Sequence, residues 1–275
     1  MAIILSTPHS HTRFVDGRDT PEDMVRQALK CGCRSFGFSE HGHEVVENPC
    51  GLSPEDVPRY IAQVRELQEM YRDRIRVWLG IERDFFSTAD PAQYDYVIAS
   101  AHYLDAPWGE VAVDGKPEDL VRYKKEVCGG DGVLMARNYF DRLADSVKAC
   151  RPDIIGHFDL LVKTNAIGEY FDESDEEYLQ AGYRAMDVMI GFCDMLEINT
   201  GGMARGYRDS PYPGARFLEY WRHLGGRAIL SSDSHRKETI LYGYDKALSL
   251  AKRAGYHTLW ALGTQDALFE EYDIS

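Results

Sequence analysis

The sequence predicts an α/β fold, a distorted (β/α)7 TIM-like barrel in which residues 1–275 form a single domain. Seven short apolar runs alternate with segments of helical periodicity, which is the pattern of a parallel sheet covered by helices. The 275 residues are 44% hydrophobic and 12% aromatic, so the chain can bury the core of such a barrel, which typically needs ~250 residues. No internal repeat or low-complexity linker divides the chain, so one barrel is expected.

The first elements are an apolar run and a capped helix. Residues 2–5 are apolar and are interpreted as a buried strand that leads into His9 and His11. Thr20 can cap the helix that follows, and Pro21 suits its first turn. The chain therefore begins with one strand and one helix.

The same alternation continues along the chain. Further strands are predicted over residues 35–39, 76–81, 96–101, 153–156, 195–199 and 227–230, with one more short strand over 258–260. Helices are predicted from Ser53-Pro54 onward, over residues 117–127, before Cys150, over residues 175–192 and 213–224, and around residues 247–251. Residues 103–115 are interpreted as a long loop, of the kind that shapes a substrate pocket at the mouth of a barrel.

Composition argues against several classes of protein. The net charge of −14 disfavours nucleic-acid binding, which needs a basic face. No apolar run reaches the roughly 18 residues of a membrane span, and no basic region precedes the first apolar segment, so neither a membrane span nor a secretory signal is predicted. We therefore expect a cytoplasmic protein. The six cysteines show no Cys-x-x-Cys spacing, which favours free thiols.

Histidine and acidic side chains follow or end most of the predicted strands. In a parallel barrel every strand points the same way, so these side chains gather around one mouth. They include six of the nine histidines and are His9, His11, His41, Glu82, His102, His157, Asp233 and His235. The spacing of His9 and His11 puts both imidazoles on the same face of a strand. The sequence therefore predicts a metal site at the mouth.

The types of ligand indicate the metal and its chemistry. Imidazole nitrogens and carboxylate oxygens suit Zn, Mn or Fe(II). The candidate ligands outnumber the roughly four that one ion needs, so more than one divalent ion is predicted. Carboxylates can bridge two ions that activate water and stabilise a phosphoryl transfer. The chemistry that this predicts is hydrolysis.

Six short motifs resemble the PHP (polymerase and histidinol phosphatase) family, in order and over nearly the whole chain. They are His9-Ser10-His11-Thr12, Ser39-Glu40-His41, Gly80-Ile81-Glu82, Ser100-Ala101-His102, Gly156-His157 and Ser232-Asp233-Ser234-His235. Further stretches, among them residues 82–84 and 196–202, are similar to its monofunctional histidinol-phosphatase branch. The resemblance implies a barrel with a metal centre that hydrolyses phosphate esters.

The resemblance also implies three divalent ions, Zn, Mn or Fe, with an assigned ligand set. His9, His11, Glu82 and Asp233 would hold the first ion, Glu82, His102 and His157 the second, and Asp16, His41 and His235 the third. Asp19 stands close to Asp16 and is the alternative ligand. Glu40 and Asp159 are candidates to orient the ligand histidines, against an ordinary polar role at a strand end.

The implied activity is that of a phosphomonoesterase in histidine biosynthesis, with L-histidinol phosphate as substrate. Asp233, His235 and Glu82 are the candidate catalytic residues. Glu82 would bridge two ions, and Asp233 or His235 would take or return a proton.

Other residues are candidates for contact with this substrate. Arg205 and Lys163 form the candidate phosphate clamp, in which Lys163 supplies a point charge where the branch commonly has an arginine. His43 is close enough to the predicted mouth to touch substrate. Tyr103 and Trp108 are candidates to cover an imidazole, although packing of the loop on itself explains them equally well.

Other interpretations of the same residues stay open. A PHP-family phosphatase could act on another small sugar, polyol or nucleotide phosphate. A metal-dependent amidohydrolase also opens a barrel with His-x-His, but Asp233-Ser234-His235 and the position of Glu82 favour the phosphatase. A non-catalytic metal-binding barrel predicts a missing ligand, and the motifs lack none. The expected partner is a small phosphate ester, and a homo-oligomer is left open.

Overall fold

Most strands belong to one curled sheet. The structure is a computed structural model that describes residues 4–46 and 50–275. The strands in these ranges are β1 (Ser35–Phe38), β2 (Arg76–Arg83), β3 (Tyr96–Ala99), β4 (Tyr103–Ala106), β5 (Gly109–Ala112), β6 (Ile154–Ile155), β7 (Met195–Asn199), β8 (Arg227–Ser231), β9 (Thr258–Leu262) and β10 (Phe269–Asp273). The eight-stranded sheet has the order β1-β2-β3-β6-β7-β8-β9-β10. Adjacent strands of this sheet run parallel, except that β10 is antiparallel to β9.

Helices follow most of the strands. Their bounds are α1 (Pro21–Lys30), α2 (Val57–Tyr71), α3 (Pro117–Glu126), α4 (Gly132–Cys150), α5 (Asn165–Gly168), α6 (Glu176–Met189), α7 (Gly201–Ala204), α8 (Ala215–His223) and α9 (Tyr244–Arg253). Helix α2 packs on β2, α4 on β3, and α9 on β7 and β8. This alternation confirms the predicted α/β barrel. The Thr20 side chain caps α1 by accepting the N–H of Asp23, as predicted.

The segment before His9 lies between β1 and the end of β8. Ala2 and Ile3 of the predicted first strand lie outside the described residues, and Ile4 and Leu5 are not part of a regular strand. The carbonyl of Leu5 nevertheless accepts from the N–H of Arg34 at 3.0 Å, and His11 donates its N–H to the carbonyl of Ser234 at 2.9 Å. These hydrogen bonds place the His-x-His motif beside the strand ends of the sheet.

Helix α2 begins later than the sequence indicates. The predicted start at Ser53-Pro54 is wrong, because residues 54–56 form a turn ahead of the helix. The Ser53 hydroxyl accepts the N–H of Asp56 at 3.1 Å in this turn. The helix starts at Val57, and Pro58 occupies its first turn instead. A capping residue followed by a proline occurs at both places, so the sequence alone does not separate them.

Most of the predicted loop over residues 103–115 is a hairpin, which covers residues 103–112. Strands β4 and β5 pair in antiparallel register from Tyr103 with Ala112 to Ala106 with Gly109. Pro107 and Trp108 make the turn, and Gly109 takes the positive φ of 112° that follows it. The acidic β10 also had no counterpart in the prediction, because Tyr272 is its one buried side chain and no apolar run marks it.

Tyr96 fixes the strand ends that lead to the histidines. Its hydroxyl donates to the carbonyls of Pro8 and Phe38, the latter at 3.0 Å. Its ring fills the space over two glycines, where a Cβ would lie 2.2 Å from the ring hydroxyl at Gly37 and 2.3 Å from the ring at Gly80. Glycine at these two positions therefore lets one buried tyrosine tie three segments together.

We expect Gly80→Ala to destabilise the protein by roughly 1–3 kcal/mol, the usual cost of overpacking a well-packed core. The added methyl would overlap the buried Tyr96 ring, which has no free space to enter. Urea unfolding followed by circular dichroism measures the change. Gly191→Ala is the control, because a Cβ there meets its first neighbour at 3.5 Å. Equal stability of the two variants would contradict the role of Gly80.

Three further predictions concern the cysteines, membrane-spanning helices and the number of domains. All six cysteines are free, in line with their spacing. Within the described ranges, no helix combines the length and the apolar character that crossing a membrane requires. The interpretation of residues 1–275 as a single domain stays a prediction.

Candidate metal centre

The predicted ligands meet at one end of the sheet. His9, His11 and Asp16 follow the N-terminal segment, and the others lie at or just beyond the ends of β1, β2, β3, β6 and β8. They surround a cavity of ≈130 Å³, which we call the metal cavity. Its lining residues are Asp16, His41, Glu82, His102, Asp114, His157, Leu160, Lys163, Arg205, Asp233 and His235.

The ligand atoms form four overlapping groups in which all atoms lie within 4.8 Å of one another. The groups are His9, Glu82 and His157; His9, His11 and Asp233; His41, Glu82 and His102; and His11, Asp16, His41 and His235. All nine predicted metal ligands therefore take part. Because several residues belong to two groups, the arrangement suits neighbouring ions with shared ligands better than one isolated ion.

Glu82 lies at the centre of these groups. Its Oε2 is 3.1 Å from His9 Nε2 and 3.0 Å from His41 Nδ1. Its Oε1 is 3.1 Å from His157 Nε2 and 3.4 Å from His102 Nε2. Burial alone would raise the pKa of the Glu82 carboxyl, but the histidines, His9 foremost, hold it well below its ordinary value. The two oxygens of one ionised carboxylate thus face different sets of histidines.

The donor atoms fit divalent metal ions. His9 Nε2, both ring nitrogens of His11, and Glu82 Oε2 are buried without a hydrogen-bond partner. Buried polar atoms without partners are rare and cost about 1–3 kcal/mol each. We therefore expect a bound group to contact these atoms. Nitrogen and carboxylate oxygen donors in this number are those that Zn, Mn and Fe(II) prefer. The residues at the barrel mouth are therefore a site for divalent metal ions.

The pKa values of the two histidines in the His-x-His motif are shifted in opposite directions. Burial, together with His235 and His41, lowers the pKa of His11 to about 3, so its imidazole is neutral as a metal ligand must be. Burial also acts to lower the pKa of His9, but the Glu82, Glu197 and Asp233 carboxylates raise it well above the ordinary value. The field around His9 therefore attracts positive charge.

Sequence reasoning missed the carboxylate that holds His9. Glu197 is fully buried in β7, and its Oε2 lies 3.0 Å from His9 Nδ1. Its Oε1 accepts the backbone N–H of His157 at 2.6 Å and the side-chain amide of Asn199 at 2.8 Å. Glu197 therefore fixes the ring of one candidate ligand and the backbone of another. An acidic residue inside the apolar run of β7 was the available signal.

We expect Glu197→Gln to weaken zinc binding by about 10–100-fold, the usual effect of losing such an outer partner. The glutamine keeps the shape of the side chain, but it is neutral and one terminal atom becomes a donor, so it cannot hold His9 as the carboxylate does. Competition with a chromophoric chelator measures the zinc Kd. Exposed Glu219 supplies the matched control, Glu219→Gln. An unchanged Kd in Glu197→Gln would contradict this role.

Two further acidic residues support the site, and one that was predicted to do so does not. Asp84 accepts the N–H of His102 and lies 3.5 Å from its Nδ1. Glu40 accepts the N–H of Thr12 at 2.7 Å, so it holds the backbone next to His11. Asp159 accepts the N–H of Gly214 at 2.8 Å instead of contacting a described histidine.

Asp16 and Asp19 have different partners. Asp16 Oδ2 lies 3.0 Å from His235 Nε2 and 3.9 Å from His41 Nε2. Asp19 instead forms an ion pair with Lys237 at 3.0 Å. The geometry therefore places Asp16, and not Asp19, beside the candidate ligands.

Two of the three candidate substrate residues, Arg205 and Lys163, line the metal cavity. Arg205 Nη2 lies 2.9 Å from Asp233 Oδ2, and its Nη1 lies 3.0 Å from His235 Nδ1. Lys163 forms an ion pair with Asp114, at 3.0 Å, in the wall of the metal cavity. Among the described residues that line this cavity, His43 is absent, and its role stays a prediction.

The sequence profile of the PHP domain matches residues 8–201. The chain belongs to the PHP domain family. This confirms the resemblance on which the ligand assignment rests. All motifs up to Gly156-His157 fall within the matched region, whereas Asp233 and His235 lie beyond it.

Curated PHP relatives cover nearly the whole chain. A probable histidinol-phosphatase from Schizosaccharomyces pombe is 26% identical, over 93% of this chain and 88% of the relative. A probable histidinol-phosphatase from Deinococcus radiodurans is 27% identical, over 93% of this chain and 95% of the relative. The histidinol-phosphatase of Lactococcus lactis is 26% identical, over 91% of both chains.

Solved structures share the PHP barrel. A putative histidinol phosphatase from Listeria monocytogenes superposes with a TM-score of 0.71 at 19% identity, over 87% of this chain and 98% of that one. The histidinol phosphate phosphatase of L. lactis, in complex with Zn, L-histidinol and phosphate, gives a TM-score of 0.64 at 21% identity, over 94% and 97% of the two chains. Both likenesses confirm the predicted fold.

Proposed function

We propose that this protein is a metal-dependent phosphomonoesterase that hydrolyses L-histidinol phosphate to L-histidinol and phosphate in histidine biosynthesis. The observation that carries the proposal is the position of Glu82 between two sets of buried histidines at the mouth of a PHP barrel. The curated relatives that bear the name histidinol-phosphatase support the choice of substrate. A cytoplasmic location and a homo-oligomeric state stay predictions.

The ligand groups support three ions. His9, His11, Glu82 and Asp233 would hold the first, Glu82, His102 and His157 the second, and Asp16, His41 and His235 the third. Zinc is the favoured metal, because it is bound in the L. lactis structure and suits imidazole and carboxylate ligands. When bound, the ions supply Lewis acidity that activates water and neutralises the charge of the phosphate.

The cations of the cavity wall are the proposed phosphate clamp. Asp233 and His235 hold the Arg205 guanidinium at the cavity, where the Asp233 charge outweighs burial and raises the pKa of Arg205 further. Arg205 therefore stays charged and can donate to phosphate oxygens. The Lys163 ammonium faces the same cavity and adds a second positive charge.

Proton transfer is assigned to Asp233 or His235. Asp233 Oδ1 lies 3.3 Å from His11 Nε2 and 3.6 Å from His235 Nδ1, so the two candidates are neighbours. His235 is the more accessible of the pair, because its side chain is 22% exposed whereas that of Asp233 is 4% exposed. Solvent therefore reaches His235 more easily than it reaches Asp233.

Steady-state release of phosphate tests the proposed function. Protein reconstituted separately with Zn, Mn or Fe(II) is assayed with L-histidinol phosphate and with a panel of sugar phosphates, nucleotides and p-nitrophenyl phosphate. The proposal predicts a kcat/KM for L-histidinol phosphate far above the panel. Similar low rates across the panel would leave a PHP phosphatase with another substrate. No release with any metal would favour the amidohydrolase or the non-catalytic barrel.

A further inference from the structure

The two cations of the proposed phosphate clamp lie in different connections of the barrel. Lys163 belongs to the connection between β6 and α6, residues 156–175, and Arg205 to the connection between β7 and α8, residues 200–214. Both side chains line the metal cavity. Since neither residue is part of the sheet, the distance between the two positive charges depends on how the two connections are held together.

Arg205 and Lys163 differ in how their positions are fixed. Arg205 has a planar guanidinium, which Asp233 and His235 hold at 2.9 and 3.0 Å. Lys163 carries a point charge at the end of a flexible four-carbon stem, so its ammonium is less preorganised than a guanidinium. Its ion pair with Asp114 restrains the charge from one side. The position of the Lys163 charge therefore also depends on the segment that carries it.

An ion pair joins the two connections next to Lys163. Arg208 Nη1 lies 2.7 Å from Glu173 Oε1, and Arg208 Nη2 lies 2.7 Å from Glu173 Oε2. Two parallel hydrogen bonds of this kind fix both the distance and the orientation of the partners. Arg208 Nη1 also donates at 3.3 Å to the carbonyl of Val162, the residue before Lys163. Arg208 of one connection therefore holds the backbone of the other.

Glu173 is anchored to the segment that carries Lys163. The side-chain amide of Asn165 donates to Glu173 Oε1 at 3.0 Å and to the carbonyl of Phe171 at 3.0 Å. Burial acts to raise the pKa of the Glu173 carboxyl, but the hydrogen bonds from Arg208 and Asn165 lower it, so the carboxyl stays ionised. The side chains of Arg208 and Glu173 are 18% and 35% exposed. A partly buried pair with further anchors holds its geometry better than an exposed ion pair, whose long side chains stay free to move.

Tyr207 makes a second contact between the connections. The Lys163 ammonium lies 5.0 Å from the centre of the Tyr207 ring, within the range of a cation–π interaction. Gly206 has a positive φ of 78°, which turns the chain between Arg205 and Tyr207. The same short stretch therefore brings Arg205 to the metal cavity and the Tyr207 ring to Lys163.

We propose that Arg208 and Glu173 are positioning residues that set the separation of the two clamp cations, with Tyr207 supporting the Lys163 ammonium. This inference rests on the proposed function, because it assumes that the two cations bind the phosphate group. Neither Arg208 nor Glu173 is among the described residues that line the metal cavity, so they act on phosphate through Lys163. Without the ion pair, the segment that carries Lys163 moves relative to Arg205, and a bound phosphate loses one of its two cations.

Binding of inorganic phosphate tests this role without turnover. Zinc-loaded protein is freed of excess zinc and titrated with phosphate in an isothermal calorimeter. We expect Arg208→Lys and Glu173→Gln each to raise the Kd for phosphate by about 10-fold, the lower end of what a hydrogen bond to a charged group contributes. The matched controls are Arg216→Lys and Glu176→Gln, because this exposed pair joins α8 to α6 at 3.4 Å. The controls should bind phosphate as the unmodified protein does.

The double variant decides whether the two residues act as a pair. Arg208→Lys combined with Glu173→Gln should bind phosphate about as weakly as either single variant, because the same contact is lost each time. Losses that multiply would overturn the pair. Elemental analysis should find equal zinc in all variants. A lower zinc content in the variants of the pair would overturn the positioning role in favour of an effect on the metal centre.

Tyr207 provides a further variant at an exposed position, where a change of side chain leaves the fold intact. Tyr207→Leu should raise the Kd for phosphate about two- to fivefold, the value of an exposed cation–π interaction. The conservative Tyr207→Phe keeps the ring and should recover the affinity. Equal binding by the leucine and phenylalanine variants would contradict the role of Tyr207.

Urea unfolding separates positioning from a purely structural role. A structural role lowers the free energy of unfolding but leaves the Kd of the folded protein for phosphate unchanged, and that result would overturn the proposal. Failure of the proposed function shows instead as a lack of phosphate release from L-histidinol phosphate by the unmodified protein, while the calorimetric comparison still decides the role of the pair. If the unmodified zinc-loaded protein binds no phosphate at all, the clamp and the positioning role are both overturned.

Discussion

Glu82→Gln is expected to lower kcat for L-histidinol phosphate on the order of 10³-fold, an effect of the size seen when a group that stabilises transition-state charge is removed. Glu82 is the residue shared between the two sets of histidines, with His9 and His41 within 3.1 Å of one oxygen and His157 within 3.1 Å of the other. Glutamine has nearly the same shape but no charge, and only one of its terminal atoms can bind a cation. The variant should therefore lose a carboxylate that would hold divalent ions between the two sets of histidines, while the barrel stays folded.

The measurement combines steady-state kinetics with elemental analysis of the metal content. Glu66→Gln is the matched control, since Glu66 is an exposed glutamate on α2. We expect the control to keep normal kcat and metal content, and Glu82→Gln to lose metal together with activity. Retention of both metal and near-normal kcat would exclude Glu82 as the bridging group.

The cluster of candidate ligands at the mouth of the barrel could be predicted from sequence, because histidine or acidic residues follow strands that all run in the same direction. His102, His157 and Asp233 each follow an apolar run, and parallel strands bring such positions together whatever the helices do. The resemblance to the PHP family then supplied the grouping of ligands. Asp16 required it as well, because no strand precedes this residue in the described part of the chain and its position depends on how the connection to α1 folds back.

Residues that depend on packing were not predictable in the same way. Glu197 lies in the middle of β7, so its contact with His9 follows from which face of the strand points inward. Asp114 reaches the metal cavity because residues 103–112 fold back as a hairpin. The turn of that hairpin contains Pro107 and Trp108, which are not typical of a two-residue hairpin turn, and the segment therefore resembled a loop.

The backbone conformation at Asp233 allows the effects of a substitution on activity and on stability to be measured apart. Asp233 has a φ of 45°, in the left-handed region that aspartate and asparagine tolerate better than alanine does. Its Oδ2 lies against Gly201, where a Cβ would come within 2.6 Å, so the loop after β7 accommodates this carboxylate. The chain thus holds a ligand carboxylate in a conformation that other residue types would disfavour.

Asp233→Asn and Asp233→Ala are therefore expected to share a loss of activity and to differ in stability. Both remove the charge that pairs with Arg205 and faces His11, so kcat should fall on the order of 10³-fold in each. Asparagine keeps the left-handed conformation, whereas alanine should lose about 1–2 kcal/mol more of the free energy of unfolding.

Steady-state kinetics and urea unfolding of the metal-free proteins measure the two effects separately. His157→Ala serves as a comparison, because it removes a candidate ligand at a residue with an ordinary negative φ. It should match the aspartate variants in lost activity without the extra strain of alanine at Asp233. Near-normal turnover in His157→Ala and both Asp233 variants would refute the proposed metal centre. Normal stability of Asp233→Ala beside a large loss of activity would instead show that the loop relaxes around position 233, because the strain depends on the backbone and the activity on the carboxylate.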